Sequence, residues 1–217
     1  LSAFVQDFGG SHRYLLDYVQ QEILARLRVL LQHFLLQTSI VASMNAALCQ
    51  AITARPTREE CQHLLEELER ANLFVVPLDE QWQWYRYHDL FREALHARLQ
   101  ASQPERVPTL HRRAARWYET QGEWSEAITH ALAAPDYPYA ADLMERAAPH
   151  FWLSGEARTI QDWVLSLPDP VLCAHTRLAL ENALRLIDAL PVASGILDVR
   201  LVPQAQRTIA RLEELVH

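Results

Sequence analysis

The sequence predicts a mostly α-helical protein: a winged-helix unit with one β-hairpin, followed by tetratricopeptide-like helical repeats. Three observations carry this expectation. Residues 74–87 alternate with period two, and helical spacing takes over at His88-Asp89. A helix with its own capping box, opening at Thr57, comes directly before that alternation. Beyond Ser102-Gln103-Pro104 the pattern becomes helices in pairs, and Gly122 and Gly155 fall 33 residues apart, close to the ~34-residue period of tetratricopeptide repeats. The expected division is a helical segment over 1–27, a winged-helix domain over 28–103 and a repeat region over 104–217.

Taken in order, Ser11 is placed to cap a helix with Tyr14, Leu15, Tyr18, Val19 and Ile23 on one side, and Leu30, Leu31, Phe34 and Leu35 mark a second helical run. Asn45 to Ile52 reads as a short helix that Thr53-Ala54-Arg55-Pro56 breaks. Thr57, with Glu60 three residues on, caps the next helix, whose apolar stripe is Cys61, Leu64, Leu65, Leu68 and Ala71. That helix carries Glu59, Glu60, Glu66, Glu67 and Glu69 against Arg58 and Arg70. Phosphate would repel it, so direct nucleic-acid binding by this chain is not expected.

In the hairpin, Phe74, Val76 and Leu78 alternate on one face, and Asp79-Glu80-Gln81 form a polar turn. Trp82, Trp84 and Arg86 then alternate against Gln83, Tyr85 and Tyr87. From Asp89, Leu90, Phe91, Ala94, Leu95 and Leu99 recur at helical spacing. His88 therefore stands beside a helix N-terminus, where unpaired N–H groups and a partial positive charge suit a phosphate, and an imidazole can add a donor. The competing reading of the same residue is a cap or a partly buried structural histidine.

In the repeat region Leu110, Ala114, Ala115, Trp117 and Tyr118 pack one helix, which Gly122 ends, and Ala127, Ile128, Ala131 and Leu132 pack the next. Pro135-Asp136-Tyr137-Pro138 turns the chain. Ala140 to Leu153, a Ser154-Gly155 stop, and Ile160, Trp163, Val164 and Leu167 repeat the arrangement. A third pair is expected from Val171 to Leu190 and from Gln204 to Leu215, across an irregular Pro191–Pro203 connection. A helical array that packs on the winged helix and binds nothing is the plain alternative.

With 217 residues, 50% of them hydrophobic, the chain can bury a sizeable core in one or two compact units. It carries 20 basic residues, all arginine, against 27 acidic ones, a net charge of −7, which further disfavours nucleic acid as a partner. Cys49, Cys61 and Cys173 form no CxxC and read as reduced thiols of a cytoplasmic protein. No apolar run approaches a membrane span and no signal peptide opens the chain, which begins at Leu1 and reads as an excised fragment. There is no GxxxxGK[ST], GxSxG or HExxH, the ten histidines are scattered, and acidic pairs such as Glu66-Glu67 lie on solvated faces. No catalytic residues, metal site or cofactor are assigned, and the chain is not expected to be an enzyme.

Several runs carry a resemblance. Gly9-Gly10-Ser11-His12-Arg13-Tyr14-Leu15-Leu16-Asp17-Tyr18-Val19, Phe34-Leu35-Leu36-Gln37-Thr38-Ser39-Ile40, Leu48-Cys49 and Ala71-Asn72-Leu73-Phe74-Val75-Val76-Pro77-Leu78-Asp79 resemble the large ATP-dependent LuxR-type transcriptional regulators. Trp84-Tyr85-Arg86-Tyr87-His88-Asp89-Leu90-Phe91 is similar to their post-hairpin motif. Leu110-His111-Arg112-Arg113-Ala114-Ala115-Arg116-Trp117-Tyr118 and Ala127-Ile128-Thr129-His130-Ala131-Leu132 are similar to the start of their helical repeats. The resemblance spans about residues 9 to 168.

It implies a module order of nucleotide-binding domain, helical segment, winged helix, inducer-sensing repeat superhelix and promoter-binding helix-turn-helix, of which this chain would hold the middle. The expected partners are the missing N-terminal nucleotide-binding domain and an inducer or protein on the repeats, with self-assembly of the full-length protein. The cofactors, ATP or ADP with Mg, would belong to the full-length protein. These regulators resemble the wider class of signal-transduction ATPases whose winged helix carries Met-His-Asp, the histidine reaching the β-phosphate of ADP in the resting state. Tyr87-His88-Asp89 matches with Tyr in place of Met, so the resemblance makes His88 a candidate ADP phosphate sensor. The rival from another class is a protein-interaction scaffold of helical repeats with no nucleotide role.

Overall fold

The computed structural model describes residues 23–188. The helix expected from Ser11 lies outside them, apart from Ile23, as do the Pro191–Pro203 connection and the helix from Gln204 to Leu215. The chain divides into two compact units between Trp117 and Tyr118.

In the first unit, α1 (Val29–Thr38) buries Leu31, Phe34, Leu35 and Leu36. Helix α2 (Ala46–Thr53) starts at Asn45, whose side chain accepts the Leu48 N–H at 2.8 Å. Helix α3 (Arg58–Arg70) starts at Thr57, whose hydroxyl accepts the Glu60 N–H at 3.1 Å. Each cap satisfies one of the N–H groups a helix start leaves over. Cys61, Leu64, Leu65 and Leu68 form the buried stripe of α3, whereas Ala71 is its exposed C-cap, one residue past the turn that faces the core. Strands β1 (Val75–Pro77) and β2 (Tyr85–Tyr87) pair antiparallel, with Val76 opposite Arg86, and helix α4 (Asp89–Ser102) follows. Helices followed by this two-stranded wing give the first unit its winged-helix order.

The alternation is as expected, but its facing is specific. The core takes Val75, Tyr85 and Tyr87, and leaves Phe74, Val76 and Leu78 between 42% and 49% exposed. Trp82 belongs to the turn, with a φ of 55°, rather than to a strand. A β-bridge between Met44 and Tyr85, with N–H···O contacts of 2.8 Å in both directions, ties β2 to the segment before α2. Full burial of side chains the size of Leu35, Leu48, Leu65 and Leu95 stabilises this core by about 1.5–3 kcal/mol each.

Helix α5 (Val107–Gln121) contains the division between the units. In the second unit α6 (Trp124–Ala133) packs against α7 (Tyr137–Leu153), and α7 against α8 (Ala157–Leu165). Buried alanines 127, 131, 140, 141, 147 and 148 permit close helix approach. The same stop occurs twice. Gly122 and Gly155 have φ of +77° and +82°, and the next N–H reaches back five residues, from Glu123 to the Tyr118 carbonyl at 3.0 Å and from Glu156 to that of Phe151 at 2.8 Å. Glycine suits this left-handed position because it has no Cβ. The expected helix from Val171 is instead two, α9 (Asp169–Ala174) and α10 (Thr176–Asp188). The break falls at His175, whose Nδ1 lies 3.4 Å from a Glu145 carboxylate oxygen and 3.8 Å from one of Asp142 on α7.

Candidate functional site

The wing is anchored from inside. Tyr87 is 1% exposed and its hydroxyl lies 2.7 Å from Thr38 Oγ1 on α1. Burial, only partly offset by the Thr38 hydrogen bond, holds the Tyr87 hydroxyl far above the ordinary tyrosine range. Phe91 packs against both Tyr87 and Phe74, with ring centroids 5.9 and 5.1 Å apart.

On this base His88 is exposed. Its φ and ψ of −59° and 136° place it at the N-cap of α4, and its N–H donates to the Phe74 carbonyl at 2.9 Å. Its own carbonyl accepts the Arg92 N–H at 2.9 Å. The imidazole makes no capping hydrogen bond, so the first turn of α4 is open at its N-terminus and carries Asp89 as its acidic residue. The exposed apolar side chains Phe74 and Leu90 belong to the residue bonded to the His88 N–H and to the first turn of α4. The arrangement offers a ring donor, a helix start without a side-chain cap and an apolar rim, a combination able to receive an anionic oxygen, with Arg86, 3.9 Å from Asp89, offsetting the one carboxylate of the turn.

The sequence did not mark out a second feature of this unit. Asp79 opens the wing turn by accepting the Gln83 N–H at 2.8 Å and the Trp84 N–H at 3.1 Å, one on each carboxylate oxygen. This fixes the Trp82 backbone in the left-handed region with its indole 46% exposed. Between the turn and α3 lies a cleft of about 470 Å³ lined by Arg58, Glu59, Gln62, His63, Glu66, Gln81, Trp82 and Gln83. His88 is not part of it. The Asp79 turn was legible as polar, but nothing in the sequence signals a left-handed tryptophan.

Nearby, His96 on α4 and His111 on α5 meet edge to face at 6.4 Å. Burial, and then the charge of His96, pushes His111 down to about 4, while burial and Arg92 lower His96. Among the described residues no three His, Cys, Asp or Glu side chains come together as a metal site. No helix among them is long and apolar enough to cross a membrane.

Residues 20–107 match the family model of the MalT winged helix domain. The matched span contains the capped helices, the two-stranded wing and the helix that His88 opens. Sequence match and observed order of elements agree: the residues similar to the MalT winged helix domain are those that fold as capped helices followed by a two-stranded wing.

Proposed function

We propose that this chain is the clamp and sensor portion of a signal-responsive, ATP-dependent transcriptional activator of MalT type. The winged helix, over 28–103, reads the nucleotide state of a separate nucleotide-binding domain through His88. The helical region, over 104–217, is a tetratricopeptide-like surface for an inducer or protein. The observation that carries the reading is the exposed His88 imidazole, without a capping bond, at the open N-terminus of α4. The recurrence of a glycine stop before a new helix at Gly122 and Gly155 supports the repeat assignment.

ATP or ADP with Mg belongs to the full-length protein, because this chain has no phosphate loop, and the chain alone does not hydrolyse ATP. In the resting state the His88 ring donates to a phosphate oxygen while α4 N–H groups face the same anion. Inducer on the repeats shifts the balance only by binding the open state more tightly than the closed one, and opening permits exchange and subunit assembly.

The test is His88→Ala in the full-length protein. Loss of a charge-assisted contact of about 1.5–3 kcal/mol should speed ADP release by roughly 10- to 100-fold and raise inducer-independent activity. The melting temperature of the 217-residue chain should barely move, since the ring caps nothing. Unchanged ADP release with a sharp drop in melting temperature would make His88 a structural residue and end the clamp reading.

A further inference from the structure

We infer that the cleft between α3 and the wing turn is a docking site for an arginine side chain carried by a partner polypeptide. The exposed Trp82 indole at its rim and the carboxylates of its lining together fit a planar cation. A guanidinium can stack on an indole face while its N–H groups reach carboxylates to the side, which the compact ammonium of lysine does less well.

The local field has the required sign. Residues 58–83 carry seven carboxylates against two arginines, and with Arg28 and Arg55, which pair with two of those carboxylates, the local charge is −3 within a chain of −7. Three of those carboxylates are already paired: Glu60 with Arg55, Glu67 with Arg28 at 2.5 Å and Glu66 with Arg70 at 2.8 Å. Glu59, which lines the cleft, has no ion pair among the described residues. Burial raises the proton affinity of the Tyr85 hydroxyl; the hydrogen bond from Gln62 opposes this, and the charges of Glu66, Glu69 and Asp79 add to it. Gln62 braces the inner wall, its Nε2 lying 3.1 Å from Glu66 Oε1, 3.2 Å from the Tyr85 hydroxyl and 3.4 Å from the Trp82 carbonyl.

The volume, about 470 Å³, lies in the lower half of the ~300–1,000 Å³ of small-ligand pockets and admits an arginine side chain together with its flanking backbone and solvating water. Phosphate and DNA are disfavoured by the same carboxylates. Arg58 is the one arginine of the lining and opposes a cation, so its removal should strengthen the site.

The probe is a blocked Gly-Arg-Gly peptide titrated into the 217-residue chain by NMR, with the neutral isostere Gly-citrulline-Gly as control. The arginine peptide should bind at least about tenfold more tightly than the citrulline peptide, a difference of ~1.4 kcal/mol. Arg58→Gln should tighten binding and Glu59→Gln should weaken it. Trp82→Gly should abolish it without unfolding the chain, because glycine accepts the positive φ at this position. Equal binding of both peptides, arginine binding unchanged in Trp82→Gly, or Trp82-dependent binding of duplex DNA would each overturn the assignment.

Discussion

Replacing Thr38 by valine should cost more than replacing Tyr87 by phenylalanine, although both changes cut the same 2.7 Å contact. Thr38 Oγ1 donates its only proton to the Phe34 carbonyl at 2.7 Å, so the hydrogen shared with Tyr87 must come from the tyrosine. In Tyr87→Phe the threonine keeps its own donation and loses one interaction, a cost of about 0.5–1.5 kcal/mol. In Thr38→Val the tyrosine O–H stays in a site only 1% exposed with no acceptor, which costs about 1–3 kcal/mol. Each kcal/mol corresponds to a melting shift of about 4–8 °C for a unit of this size. The double variant should be more stable than Thr38→Val alone, because it removes the orphaned donor. Two units need not unfold together, so hydrogen-exchange mass spectrometry in urea, followed on peptides from α1 and the wing, is the suitable assay. Tyr87→Phe as costly as Thr38→Val, or additive costs in the double variant, would refute the donor assignment and the reasoning built on it.

Acid should weaken the first unit through His111. Its folded value of about 4 lies below an unfolded value near 6.5, so the unfolded chain binds more protons between them. The stabilisation is complete above about pH 6.5 and is lost as pH falls toward 4, on the order of 3 kcal/mol in urea titrations, and His111→Leu should flatten that slope. Thr57→Ala and Asn45→Ala each remove a cap and should destabilise the first unit by about 1 kcal/mol, read as a lower urea midpoint, whereas Thr57→Asn should restore most of the loss.

The elements most legible in the sequence were those fixed locally. Thr57 was legible as a cap because its side-chain oxygen reaches an N–H group three residues on, a relation that needs no tertiary contact; Asn45, read as the first residue of its helix, is that helix's cap by the same relation. Gly122 and Gly155 end helices for a similarly local reason. The wing was legible as an alternation, but both of its faces are rich in apolar or aromatic residues, so the period alone could not say that Tyr85 and Tyr87 turn inward while Phe74 and Val76 turn outward. The Met44 bridge and the Thr38 contact, which decide the matter, join residues more than 40 positions apart. His88 was placed at its helix start from spacing alone, whereas its exposure depends on that facing. The Trp82 conformation is set by the Asp79 carboxylate and a turn whose geometry no periodicity encodes. The break at His175 coincides with carboxylates on a helix far away in the chain.

The His88 N–H bond to Phe74 also bears on the thermodynamics of recognition. Because that bond closes the hairpin one residue past a buried tyrosine, the backbone freedom of position 88 is already lost when the wing folds. A ligand meeting this histidine would have only a side-chain rotor to immobilise, so ordering of a loop would add nothing to the entropic cost of binding. If a phosphate is held here as proposed, its binding should therefore carry only a small conformational-entropy loss.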